Sequence, residues 1–156
     1  MTDRELMRHA VAVIAYRGGK PVRGAPTSFA SYEAGPGGNT PLVIVAHLGD
    51  LMDWALTHVK GDPKWVGVTG KSWDEQVARF FASLAALDAY LGSDQPIRCD
   101  LKRLLAGPIA DAINHIGQLM MLRRMSGSAV YGESYFAADI VTGRVGMEQS
   151  PPVKPF

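Results

Sequence analysis

At 156 residues the chain has the length of one domain, enough to bury roughly two-thirds of the surface that its unfolded form exposes. With 47% hydrophobic and 20% charged residues, its composition excludes an intrinsically disordered chain. A formal net charge of +1 with scattered basic residues leaves no electrostatic footprint for nucleic acid, and a single cysteine, Cys99, excludes an intrachain disulfide framework.

A lone cysteine fits a reducing compartment, so a cytoplasmic protein is expected, with Cys99 as a bystander between Arg98 and Asp100. No signal peptide is expected, because Asp3 and Glu5 precede the first apolar run and Arg17 soon interrupts it. The most hydrophobic stretch, Leu42 to Val59, carries His47, Asp50, Asp53 and His58 in mid-span, which argues against a membrane helix.

Four helical segments follow from period and punctuation. The first is capped by Thr2, with Glu5 in capping-box spacing, and Leu6, Ala10, Val13 and Ile14 recur at helical intervals. Gly18-Gly19 and Pro21 are expected to stop it. Residues 22 to 39 read as a long connection, and Gly35-Pro36-Gly37-Gly38 within it is a loop rather than a phosphate cradle, since no strand precedes it.

The second segment opens on Thr40 with Pro41 at the first helical position and runs to about Lys60, ending at Gly61. The third opens on Ser72 with Glu75, again a capping box. Its apolar face is Trp73, Val77, Phe80, Phe81, Leu84, Leu87 and Leu91, and Gly92 ends it. The fourth begins between Asp100 and Pro108 and continues through Ile109, Ile113, Ile116, Met120 and Leu122 to Ser126-Gly127. A short fifth helix is expected around Ser134 to Val141, before a proline-rich tail.

Alternating β patterns are nearly absent, and four segments of matching length predict an all-α four-helix bundle over residues 1–146, with a short C-terminal extension, 147–156. The link from Gly61 to Lys71 could reach roughly 35 Å when extended. It therefore permits a crossover between the second and third helices as well as a simple hairpin.

The chemistry sits on two of these helices. Asp111 and His115 are four residues apart and share a face, so they can grip one ion together. Their neighbours on that face are apolar, where a carboxylate is costly to ionise without a cation. His47 shares a face with Val43, Ile44, Leu51 and Trp54 on the second helix. Convergence of His47, Asp111 and His115 would make a three-ligand site for one divalent ion. Each pattern alone is also that of a hydrogen-bonded core histidine or an ordinary ion pair.

At these residues the chain resembles the DinB-like proteins (DNA-damage-inducible type), a superfamily of four-helix bundles. Their second helix carries a His in an Ala-His-Leu context, here Ala46-His47-Leu48. Their fourth carries His-x-x-x-His followed by x-Gly-Gln, here Asp111-Ala-Ile-Asn-His115-Ile-Gly117-Gln118. The resemblance covers roughly Thr2 to Gly127. It implies a metal site of three histidines, matched at His47 and His115, with Asp111 standing where the first histidine of the fourth helix is expected. A two-His, one-carboxylate set accepts Zn²⁺, Ni²⁺, Mn²⁺ or Fe²⁺. The resemblance further implies a metal-dependent, thiol-dependent transferase or isomerase acting on a small molecule, while an ion that activates bound water would equally serve a hydrolase; a homodimer is the expected assembly. The alternative is a non-catalytic, small-ligand-binding or dimerising bundle that has lost metal-dependent activity through the change at position 111. A ferritin-like di-metal site is excluded, since Glu5 and His9 are four apart rather than three and the second and fourth helices contain no Glu.

Softer expectations complete the reading. Asp50 is taken as a helix-surface charge, Gln118 and Asn114 as partners for a bound water, and Gly117 as a close-packing position. His9 and His58 are taken as solvated helix-end residues. Arg123 and Arg124 complement the last turn of their helix or attract an anion. Trp54, Tyr135 and Phe136 are core or pocket aromatics.

Overall fold

The computed structural model describes residues 1–156, and its regular structure is helical throughout, with a single isolated β-bridge. Helix α1 spans Asp3–Val22, α2 Pro41–Lys60 and α3 Trp73–Leu91. The fourth rod is interrupted: α4, Leu101–Leu104, passes through a π-helical turn, Leu105–Ile109, into α5, Ala110–Met125.

The starts of the rods are written locally. Thr2 and Ser72 each accept the N–H of the residue three positions on, while Glu5 and Glu75 reach back to the cap N–H. Thr40 accepts from Val43, and Pro41 occupies the first turn, where no N–H is needed. Gly61 closes α2 with φ of 83°, the left-handed conformation that glycine adopts at little cost.

The first helix does not stop at Gly18-Gly19. It continues through Pro21 to Val22, because packing outweighs the roughly 1 kcal/mol helix penalty of each glycine. Gly18 lies close against α3, and a Cβ there would meet the Phe80 ring at 2.9 Å and Ile116 at 3.3 Å. Gly18→Val is expected to overpack this crossing and lower stability by about 1–3 kcal/mol, read by chemical denaturation.

Helix directions follow from which ends meet. Arg8 of α1 pairs with Asp88 late in α3 at 2.9 Å, and Gly18 lies over Phe80, so these two helices are antiparallel. Arg79, early in α3, reaches Ala46 and Asp50 in the first half of α2, while the Arg98 N–H, just beyond α3, bonds the Val59 carbonyl near the end of α2. Helices α2 and α3 therefore run the same way, and residues 61–72 form a lengthwise crossover. Helix α5 lies antiparallel to α2 and parallel to α1, each of which also packs on α3. The bundle is up-down-down-up, with α1 and α2 on one diagonal. The core draws on all four rods, including Val11, Ile14, Leu48, Met52, Phe80, Leu84, Ile109 and Leu119. By length and composition alone α2 could cross a membrane, but half of that stretch is buried against its neighbours.

Residues 134–141 are not a helix; they form successive turns. An eight-residue helix needs tertiary packing, and between 130 and 146 only Glu133 and Val145 are buried. The tail instead returns to this segment. The Phe156 N–H bonds the Gly132 carbonyl, the Ser134 N–H bonds the Lys154 carbonyl, and Glu133 bridges Pro155. Glu133 anchors it to α1, pairing with Lys20 and accepting the Tyr16 hydroxyl at 3.0 Å.

Burial and then the hydrogen bond to Glu133 push Tyr16 from an ordinary 10.0 up to about 12. Because the folded value is the higher one, this contribution to stability is whole below pH 10 and is lost as pH rises from 10 to 12. It amounts to about 3 kcal/mol over two pKa units. Tyr16→Phe is expected to flatten that alkaline loss, followed by urea midpoints between pH 9 and 12. Arg123 is a buried structural cation rather than an anion trap, donating to the carbonyls of Pro21 and Ser128.

Candidate metal centre

His47, on the face of α2 turned toward α5, meets Asp111 and His115 from the first two turns of α5. The Nε2 of His47 lies 3.5 Å from Asp111 Oδ2, and the Nε2 of His115 lies 3.4 Å from Asp111 Oδ1. The imidazoles meet edge to face with centroids 4.6 Å apart, and one donor atom from each of the three residues falls within 4.8 Å of the others. These residues can hold a metal ion.

The spacing supports that use over an ordinary ion pair. Both approaches are longer than a good charge-assisted hydrogen bond. Around an ion with ligand distances of about 2.1 Å, neighbouring tetrahedral donors stand about 3.4 Å apart. The Nδ1 of His115 lies 2.8 Å from Gln118 Oε1, and an N–H donated there leaves Nε2 as the ring atom turned toward Asp111. Gln118 thus orients the imidazole directly. Gln118→Ala is expected to weaken divalent-ion affinity about 10- to 100-fold, measured by competitive titration against a chromophoric chelator.

The cluster sits at the rim rather than in the core. The Asp111 side chain is 43% exposed, His47 32% and His115 16%. The expectation of a carboxylate facing an apolar surface is corrected accordingly: Asp111 keeps contact with solvent, which leaves open directions for other ligands. The kink explains how α5 is aimed. Pro108 lacks the N–H that would continue the helix and its ring crowds the carbonyl of Leu104, so the chain opens into a π turn with Gly107 outside helical angles. Asp111 follows within a turn.

Several expectations change. Asp50 is buried rather than on the helix surface, since its Oδ1 accepts the Val68 N–H at 3.1 Å and pairs with Arg79 at 2.7 Å. Gln76 accepts from Arg79 and donates to the Val68 carbonyl, so the crossover is clamped through both backbone groups of one residue. Gly49, not Gly117, is the close-packing glycine. A Cβ at Gly49 would meet the Arg79 guanidinium at 2.8 Å, whereas nothing approaches Gly117. His9 contacts Thr142 at 2.9 Å, and His58 stacks edge-on against Trp54, so neither is merely solvated. Asn114 is exposed, Phe136 is fully exposed, and Tyr135 packs beside Tyr16 under Arg17.

The clamp positions a residue that periodicity could not single out. Trp65, on the crossover, lies 5.5 Å from the His47 ring and 5.6 Å from Trp54 by ring centroids. It walls the solvent side of His47.

No family model, curated protein or solved structure matches this chain. What it can do therefore rests on the geometry of these side chains.

Proposed function

We propose that the chain is a DinB-like protein that holds one divalent ion, Zn²⁺, Ni²⁺, Mn²⁺ or Fe²⁺, at His47, Asp111 and His115, and that it is a metal-dependent enzyme acting on a small molecule. The observation that carries this reading is the meeting of two imidazole nitrogens and a carboxylate at ligand spacing, with one imidazole already set by Gln118. A divalent ion at such a site supplies a Lewis acid that makes water or a thiol nucleophilic near neutral pH.

The chain's own residues define the rest. The Asp111 charge offsets part of the ion's charge, and its solvent contact leaves room for substrate. Trp65 packs against the His47 ring and is itself backed by Trp54, which limits the freedom of that imidazole. Burial and then the neighbouring Asp100 charge push the Cys99 thiol above the ordinary value, which disfavours its thiolate.

Calorimetric titration with the four ions tests the proposal. One equivalent taken up by the wild-type chain, with heat lost in Asp111→Ala, is the expected result. Absence of uptake for every ion removes the metal-dependent reading and leaves the non-catalytic bundle.

A further inference from the structure

We infer that the groove between α2 and the start of the fourth rod, whose lining includes none of the three cluster residues but adjoins them along both helices, binds the organic part of the substrate, and that the substrate is a small anion with a flat apolar body and a carboxylate. The assignment of this groove to a substrate rests on the metal reading above; its ligand chemistry stands on separate residues. The groove, about 580 Å³, runs between the second half of α2 and the start of the fourth rod. Its walls are Trp54, Leu104, Gly107 and Pro108, and its rim carries His58 and Arg103. That volume is typical of cavities that enclose small organic ligands.

Two features tie the groove to the cluster. Pro108 lies one turn before Asp111, about 4.5 Å along the axis, so the kink that aims Asp111 also forms a wall of the groove. Trp54 is in contact with Trp65, which lies on His47, so the aromatic wall is shared. The kink also opens the space, since no heavy atom lies within 4 Å of where a side chain at Gly107 would begin.

The chemistry of the occupant follows from the lining. Indole and proline rings favour a flat apolar body, and burial of apolar surface supplies the affinity. Arg103 is exposed and forms no ion pair, so its guanidinium is free to take a carboxylate. One acid, Asp100, also lines the groove, and its Oδ1 accepts the Lys102 N–H at 2.9 Å as the cap of α4. Cys99 also lines the wall. An ion held by one carboxylate and two neutral imidazoles retains positive charge, which favours an anion from the other end.

The test uses 1-naphthaleneacetate and its uncharged amide as probes, titrated calorimetrically into chelator-treated full-length protein. Wild type is expected to bind the acid at least tenfold more tightly than the amide. Arg103→Glu is expected to abolish that preference while keeping the wild-type circular dichroism spectrum. Its affinity for divalent ions is expected to match that of the wild type. Equal binding of acid and amide, no binding of either, or an acid preference that survives in Arg103→Glu overturns the inference. Because these arms contain no metal, loss of the metal reading appears separately, as failure of both proteins to take up any ion.

Discussion

His115→Ala is expected to weaken divalent-ion binding more than about 100-fold, exceeding the loss from removing an orienting partner such as Gln118. The variant keeps His47 and Asp111, but two ligands at a half-exposed rim compete poorly with water for an ion. A thermal scan separates this from misfolding. With metal at about 100 times its dissociation constant, the wild type gains about 2.7 kcal/mol of stability, and the variant gains almost none. Without metal the two proteins should melt close together, since the cluster lies at the edge of the packed core. Asp111→His is the complementary change. It restores the three-nitrogen set implied by the DinB-like resemblance and is expected to tighten binding without loss of fold. Metal-induced stabilisation that persists in His115→Ala would place the donors elsewhere.

Glu133→Ala is expected to be the most destabilising single change considered, by about 3 kcal/mol, because it leaves the Lys20 ammonium buried without a counter-charge. In a chain of this length that corresponds to a fall of about 6–12 °C in Tm. It also removes the acceptor of the Tyr16 hydroxyl and the tie between the C-terminal segment and α1. Lys20→Met combined with Glu133→Leu removes both charges and should recover most of the loss. Amide exchange is expected to accelerate first in residues 132–156, whose backbone bonds to the body are few. An unchanged Tm in Glu133→Ala would show that this segment is not docked through the buried pair.

What was legible in the sequence was what neighbours in sequence decide. Thr2, Thr40 and Ser72 mark helix starts because each cap bonds an N–H three residues on, and Gly61 marks an end through its own backbone angle. Asp111 and His115 could be placed on one face because helical spacing is fixed, and His47 stands on the apolar face of another helix by the same periodicity, in an Ala-His-Leu context that matches the DinB-like motif. The misreadings at Asp50 and Gly18 involve partners distant along the chain. Asp50 resembles a surface charge until Val68 and Arg79 are brought to it, and Gly18 resembles a stop until Phe80 lies against it. Trp65 stands in a segment without periodicity, so only the crossover between parallel helices reveals that it covers His47. The kink at Gly107-Pro108 was present as a proline, yet its result, a π turn that aims Asp111 and opens a groove, depends on packing against α2.

X-ray absorption at the metal edge of the loaded protein examines the three-residue centre most directly. The expected spectrum has nitrogen and oxygen neighbours at about 2.0–2.2 Å and the outer-shell scattering of two imidazole rings, one of which disappears in His115→Ala. An all-oxygen shell without imidazole scattering, or a spectrum identical in the variant, contradicts a centre built from His47, Asp111 and His115.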